Sequence, residues 1–166
     1  LNWLQQLLAS DPVEATPTEV KIEPEKKEEI KPVDTNPNHV GGYDISSYAD
    51  NPGHESNVRK MYEGTFIKNR DFSTPEGIDI VIKENAPKSK IKGSMILKAS
   101  EKYDVDPRML FAIMMEDSQL GTKGTGARNN NPGNVGQFTK LKRAVKGYKT
   151  LQDGINAVAE ILKTHK

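Results

Sequence analysis

The chain has 166 residues, of which 34% are apolar and 28% are charged, so it is too polar for its whole length to pack as one globule. The net charge is +1, but the two parts of the chain have opposite charge. Residues 1–72 hold 8 Lys/Arg and 13 Asp/Glu, a net charge of −5, and residues 73–166 hold 16 Lys/Arg and 10 Asp/Glu, a net charge of +6. Cysteine is absent, which excludes disulfides and thiolate metal sites, and His39, His54 and His165 lack the spacing of metal ligands. We therefore expect no metal and no cofactor.

The first 72 residues have the composition of a tether. Residues 1–10 form a short amphipathic segment, too short to span a bilayer, which is either the remnant of an anchor or a helix that docks on a membrane or another protein. Residues 11–38 repeat Pro among Glu, Lys and Thr, and residues 39–72 stay polar. Such a sequence buries too little apolar surface to offset its chain entropy. We predict a flexible linker over residues 11–72, whose aromatic end, Tyr62–Phe72, is a candidate strap onto the next domain.

Helix signals begin after Ser73, where apolar residues recur at helical spacing. Thr74-Pro75 and Asp106-Pro107 each join an N-cap residue to a proline suited to the first helical position. Pro87 closes the first of these helices, a second runs from about Ser94 to Tyr103, and Gly121 ends the third. Thr150 starts a last helix with one apolar face, and residues 140–150 hold a short strand or a turn.

The third predicted helix differs from the others in its distribution of apolar residues. The run Met109–Met115 is apolar on every side, which predicts a helix buried at the centre of the domain. The fold class is therefore mostly α: a small helical domain over residues 73–166, built around one buried helix and preceded by a disordered linker. A domain of this size is large enough to fold independently.

Two carboxylates, Glu116 and Asp117, follow the apolar run, and a loop rich in Gly and Asn comes next. The negative end of a helix dipole disfavours a carboxylate, and so does partial burial, so both raise its pKa. An acid that stays protonated near neutral pH is what cleavage of a glycosidic bond requires.

The order of an apolar helix, acid-Ser-x-x-Gly, a Gly-rich loop and Asn131-Pro132-Gly133-Asn134 resembles the lysozyme-superfamily glucosaminidases and lytic transglycosylases of bacteria and phages. The resemblance covers about residues 78–164, including Lys102–Leu110 and Gly147–Ile155. It implies an α+β lysozyme-like fold and cleavage of the glycan strands of peptidoglycan. It also implies action at the cell envelope, outside the cell or from a phage virion.

One residue departs from the family pattern. The family usually has Glu directly before the Ser, and here Asp117 holds that place with Glu116 one residue earlier. Asp is one methylene shorter, so its carboxyl lies about 1–1.5 Å further back, and a shift of that size can cost about 100-fold in rate. Three interpretations stay open: Asp117 is the acid in a tightened cleft, Glu116 has taken the role, or the domain binds glycan and cuts slowly or not at all.

The resemblance also implies substrate-binding roles for Ser118, Gly121, Asn131, Asn134 and Tyr148. Ser118 hydrogen-bonds near the acid or the sugar, or else it is a hydroxyl at a helix C-terminus that bonds a carbonyl. Asn131 and Asn134 present amides to N-acetyl groups, or else they serve the turn alone. Tyr148 lines the cleft or is an ordinary core tyrosine.

A second catalytic carboxylate is not evident, because Asp153 stands at capping-box spacing from Thr150. A single acid is compatible with substrate-assisted or anhydro-forming cleavage. The rival hypothesis is a non-catalytic wall-binding or virion-structural module on a lysozyme scaffold. Nucleic acid is not an expected partner, since the basic charge comes without an aromatic-interleaved basic motif.

Overall fold

Helices dominate the part of the chain that the computed structural model describes, which is residues 39–46, 53–136 and 147–166. All of these residues belong to one unit, Val33–Lys166. In chain order the elements are β1 (His39–Val40), β2 (Tyr43–Asp44), α1 (His54–Glu63), α2 (Thr65–Lys68), α3 (Pro75–Asn85), α4 (Gly93–Tyr103), α5 (Pro107–Ser118), α6 (Gly124–Arg128) and α7 (Leu151–Lys163). The prediction of a mostly helical protein is confirmed. None of the helices in these ranges is long and apolar enough to cross a bilayer.

Three helices begin with the caps that the sequence predicts. The Thr74 hydroxyl accepts from a backbone N–H of α3 at 3.1 Å, and the Asp106 carboxylate accepts from one of α5 at 2.8 Å. At α7, Thr150 and Asp153 form a reciprocal capping box, with N···O distances of 3.1 and 3.2 Å. Each cap satisfies a backbone donor that has no partner inside its helix, which fixes where the helix begins.

Helix α5 is the centre of the domain, as its all-round apolar sequence predicts. Every residue from Met109 to Met114 is 0% exposed. Helix α4 packs against α3, α5 and α7, and α5 also packs against α1 and α7. Phe111 of α5 meets Phe72 edge to face, with ring centroids 5.5 Å apart. The carboxylates that follow this run are therefore held on a tightly packed helix.

The linker predicted over residues 11–72 extends too far, because the structured domain begins well before Ser73. Six apolar side chains ahead of that residue lie in the same core as α5: Val40, Tyr43, Ile45, Val58, Ile67 and Phe72. None of them belongs to an apolar run longer than two residues, so the sequence gives no clear signal for their burial, which is produced by tertiary packing. Residues 11–38 and 47–52 of the predicted linker and the amphipathic segment, residues 1–10, lie outside the described residues.

Helix ends differ from the sequence prediction by a few residues. Helix α3 ends at Asn85 and α4 begins at Gly93. Helix α5 ends at Ser118, not at Gly121, since Gln119 and Leu120 already have positive φ angles of 48° and 54°. Left-handed backbone is costly for these residues, and the full burial of Leu120 helps to hold it there. Most of the strand or turn predicted within 140–150 lies outside the described residues.

The hairpin of β1 and β2 ties the beginning of the folded region to its end. The strands are antiparallel, with Val40 opposite Tyr43. The Asp44 N–H donates to the carbonyl of His165 at 2.8 Å, and the Tyr43 hydroxyl accepts from the Asp106 N–H at 2.7 Å. The hairpin therefore contacts both the region after α7 and the start of α5.

Val58 provides a direct test of the earlier domain boundary. It is 0% exposed on α1, so Val58→Ala removes two buried methyl groups and is expected to lower the free energy of unfolding by about 2 kcal/mol. Lys60→Ala, on the exposed side of the same helix, is the matched control and is expected to change it by less than about 0.5 kcal/mol. Denaturant unfolding measures both, and equal effects of the two substitutions would mean that α1 does not pack on the core.

Candidate functional site

The two carboxylates at the end of α5 both contact α1. Oδ1 of Asp117 lies 3.0 Å from Nε2 of His54, and Oε1 of Glu116 accepts from Nδ2 of Asn57 at 2.8 Å. His54 and Asn57 are three residues apart, which puts them on one face of a helix. The N-terminal turns of α1 therefore lie along the carboxylate end of α5 and contact both acids.

Asp117 is the more buried of the two acids. Its side chain is only 11% exposed, and this burial raises the pKa of the carboxyl above its ordinary value of 3.8. The hydrogen bond and charge of His54 oppose the rise in pKa, while the charge of Glu116 adds to it. Oδ2 of Asp117 is buried and has no hydrogen-bond partner among the residues that the structure describes. The site thus keeps a carboxyl in an environment that favours its protonated form.

Ser118 and Gly121 build the reversal that follows α5. The Ser118 side chain is buried. Its Oγ lies 2.6 Å from the carbonyl oxygen of Pro132 and 3.3 Å from that of Met114. The same oxygen accepts from the Gly121 N–H at 2.8 Å. Gly121 has a φ of 72°, which glycine adopts without strain. The Ser118 hydroxyl therefore bonds backbone groups. This is the second of the two roles that the sequence analysis gives for it.

The Asn131–Asn134 turn is attached to the same end of α5. Asn134 donates its Nδ2 hydrogen to the backbone carbonyl of Asp117 at 2.9 Å, and its Oδ1 is buried without a partner among the described residues. The Asn131 amide is fully buried and bonds both the N–H and the carbonyl of Val135 at 2.9 Å. Gly126 lies so close that an added Cβ would overlap the Asn131 carbonyl. The turn therefore lies beside Asp117. The Asn131 amide bonds Val135, and Asn134 is adjacent to Asp117.

Tyr148 lies at the other side of this loop. Its N–H donates to the carbonyl of Asn129 at 2.9 Å, and its own carbonyl accepts from the Asn130 side chain at 3.1 Å. The ring is half-buried, and this burial raises the pKa of the hydroxyl. Through these bonds Tyr148 anchors the loop that ends in the Asn131–Asn134 turn.

The sequence analysis did not predict the contacts that His54 and Asn57 make with the two acids. They belong to a polar segment without an apolar run, and the motifs beginning at residue 78 do not include them. The usable signal was the spacing of His54, Val58 and Tyr62 at i, i+4 and i+8, which is typical of one helix face. His54 is 3% exposed and Val58 is 0% exposed, in agreement with that spacing.

The raised pKa of Asp117 gives a prediction about stability. In the unfolded chain the carboxyl titrates near 3.8, and the folded state binds the proton more tightly. Its contribution to stability is therefore complete below the unfolded pKa and is lost as the pH rises through the higher folded pKa. Asp117→Asn removes this loss, so its free energy of unfolding is expected to gain on that of the wild type as the pH rises.

Denaturant unfolding between about pH 3 and pH 8 measures this difference. Glu76→Gln, at an exposed position in the first turn of α3, is the control for a change in net charge. A constant difference between Asp117→Asn and the wild type across this range would contradict the prediction.

The described residues also contain a surface cavity of about 460 Å³, lined by Tyr62, Glu63, Lys68 and Arg108. Arg108 is in the first turn of α5, so this cavity lies at the opposite end of the helix from Asp117 and contains none of the predicted site residues. Within the described ranges, no three His, Asp or Glu side chains converge as metal ligands.

Comparison with known proteins identifies no relative: no protein-family model, no curated protein and no solved structure matches the chain.

Proposed function

We propose that the domain has a lysozyme-like fold and cleaves glycosidic bonds in the glycan strands of bacterial peptidoglycan, with Asp117 as the acid. The observation that carries this proposal is the burial of the Asp117 carboxyl at the end of the apolar helix, directly beside the Asn131–Asn134 turn. Two separate parts of the sequence pattern, the acid-Ser-x-x-Gly stretch and the Asn-Pro-Gly-Asn stretch, meet at this point. Cleavage of a glycosidic bond requires a protonated acid of this kind.

Burial supports the role of Asp117 as proton donor. In water the carboxyl would be ionised at neutral pH, but burial and the nearby charge of Glu116 both favour its protonated form. In the proposed reaction Asp117 gives its proton to the glycosidic oxygen as the bond from that oxygen to C1 breaks. The leaving sugar departs as an alcohol, and Asp117 becomes a carboxylate.

No second carboxylate stands ready to complete the reaction among the residues that the structure describes. Glu116 bonds Asn57, and Asp153 is occupied in the capping box of α7. The proposed route is therefore a single-acid reaction, in which an oxygen of the substrate itself attacks C1. Attack by the N-acetyl oxygen, followed by water, leaves a reducing end, and attack by the C6 hydroxyl leaves an anhydro end. In either case the Asp117 carboxylate takes up the proton that the water or the C6 hydroxyl releases, which restores the acid. Such an enzyme would act at the cell envelope, outside the cell or from a virion.

The second candidate function is a wall-binding or virion-structural module that does not cut. The contact between His54 and Asp117, together with the internal use of the Ser118 hydroxyl and the Asn131 amide, favours it. In this case the same surface would hold glycan without transferring a proton, and the substitution of Asp for the usual Glu would mark lost activity.

Digestion and sedimentation separate the two functions. The full chain is incubated with purified peptidoglycan, and soluble fragments are analysed by mass spectrometry for reducing or anhydro ends. The proposal predicts soluble glycan fragments of one of these two kinds. Sedimentation of the protein with the wall, without any release of fragments, would support the non-cutting module. A protein that neither sediments with the wall nor releases fragments would contradict both functions.

A further inference from the structure

The contact between His54 and Asp117 joins two segments that are 63 residues apart in the chain. His54 is the first residue of α1 and is 3% exposed, so its ring is as deeply enclosed as the carboxyl that it meets. A buried pair of titratable side chains at hydrogen-bond distance is uncommon outside functional sites, because each group must lose its water. This pair therefore calls for an explanation beyond packing.

Helix α1 is held to the domain along its length, so His54 is a fixed part of the wall around Asp117. Val58 is fully buried one turn after His54. The Tyr62 hydroxyl donates to Oδ2 of Asp106 at 2.7 Å, and Nη2 of Arg59 donates to the carbonyl of His39 at 2.8 Å. Release of α1 would expose Val58 and break these bonds, which distinguishes α1 from a loosely docked lid.

The histidine makes the two oxygens of Asp117 different from one another. Oδ1 faces Nε2 of His54 at 3.0 Å, and Oδ2 is buried without a partner in the described part of the chain. Negative charge on a buried oxygen without a donor is costly, so the proton is best placed on Oδ2. The groups that act on this carboxyl are His54 from α1 and Glu116 from α5, whereas Asn134 bonds the Asp117 backbone only.

We infer that His54 is a positioning residue of the site: its Nε2–H holds Oδ1 of Asp117, which fixes the orientation of the carboxyl and leaves its proton on Oδ2. This inference rests on the proposed glycan cleavage. It assigns a functional residue to the segment before residue 78. That segment lies outside the motifs from which the site is predicted.

Three variants of the full chain test the inference. His54→Gln keeps an N–H donor without a titratable ring, His54→Ala removes the donor, and Lys60→Ala, on the exposed side of α1, is the matched control. Carbon NMR of labelled aspartate follows the titration of Asp117, and digestion of peptidoglycan is measured as a function of pH. The NMR titration reports on the pair even in the absence of substrate.

The expected results differ between the variants. His54 lowers the pKa of Asp117, so its removal should shift the Asp117 titration and the alkaline limb of the digestion profile to higher pH. His54→Ala should also lose about 10- to 100-fold in maximal rate, because a displaced catalytic group costs about that much. His54→Gln should keep most of the rate with a smaller shift, and Lys60→Ala should change neither the pH profile of digestion nor the Asp117 titration. If His54→Ala does not fold, the shift in His54→Gln decides.

Other outcomes would overturn the inference. Unchanged pH profiles in both His54 variants would mean that the histidine only packs. Faster digestion by His54→Ala would mean that the contact blocks the acid. Either result, with an active wild type, leaves the proposed function intact. An inactive wild type refutes the proposed function itself, and the catalytic role of His54 with it.

Discussion

Asp117→Asn is expected to reduce peptidoglycan digestion by about 100- to 10,000-fold, the range that a general acid contributes. The amide has nearly the size and shape of the carboxyl, so the buried position beside His54 stays filled, but the amide has no acidic proton to give. The same substitution is expected to gain stability relative to the wild type as the pH rises, as argued above from burial. Loss of activity in a protein that is at least as stable as the wild type separates chemistry from folding, and release of soluble glycan fragments measures it.

Two further variants define the role of Asp117 within the carboxylate pair. Glu116→Gln is the matched control, since it removes the neighbouring charge and retains an oxygen that can accept from Asn57; digestion should fall by less than about tenfold. Asp117→Glu tests the short side chain, and a strong increase in rate would mark the native protein as a weakened enzyme. Full activity in Asp117→Asn, with loss in Glu116→Gln, would transfer the acid role to Glu116.

Gly154→Ala is expected to lower the free energy of unfolding by about 3 kcal/mol, although glycine-to-alanine changes usually stabilise a helix by about 1 kcal/mol. Gly154 is buried on α7, and a Cβ there would overlap the carbonyl oxygen of Asn130 and reach 3.0 Å from Cδ of Pro132. Both neighbours belong to the loop beside Asp117, and a backbone oxygen cannot rotate away as a side chain does. The loop would have to move off the helix.

Thermal or denaturant unfolding measures the effect of Gly154→Ala. Gly147→Ala is the control, because a Cβ there meets nothing within 4 Å, and its effect should stay within about 0.5 kcal/mol. Glycan digestion by Gly154→Ala should fall as well, since the Asn131–Asn134 turn is seated by the same contact. A variant as stable as the wild type would show that the loop does not rest on α7.

The sequence predicted best those elements that carry local signals. The caps at Thr74, Asp106 and Thr150 mark helix starts through side-chain chemistry within a few residues, and all three helices begin there. The all-round apolar run of α5, preceded by the Asp106-Pro107 cap, predicted a buried helix, and the structure has one. These features depend on neighbours in the chain, which a single sequence displays directly.

Elements held by distant contacts were missed. Helix α1 is polar overall and buries chiefly His54 and Val58, so its stability comes from α5 and not from its own sequence. For the same reason the contact of His54 with Asp117 had no signature. Ser118 and Asn131 were recognised as special residues, but a motif cannot tell whether a hydroxyl or an amide faces substrate or backbone. In this protein they bond backbone groups.

The hydrogen bond from Asp44 to the carbonyl of His165 bears on the order in which the molecule assembles during synthesis. Contacts this far apart in sequence raise the contact order of a protein whose helices would otherwise form from local interactions. The hairpin is synthesised before all the helices of the described chain. His165, whose carbonyl accepts from the hairpin, is synthesised after the last of them. We therefore expect the bond from Asp44 to form only after α7 has been synthesised, and the Asp44 N–H to be among the last to gain protection in pulse-labelled hydrogen exchange.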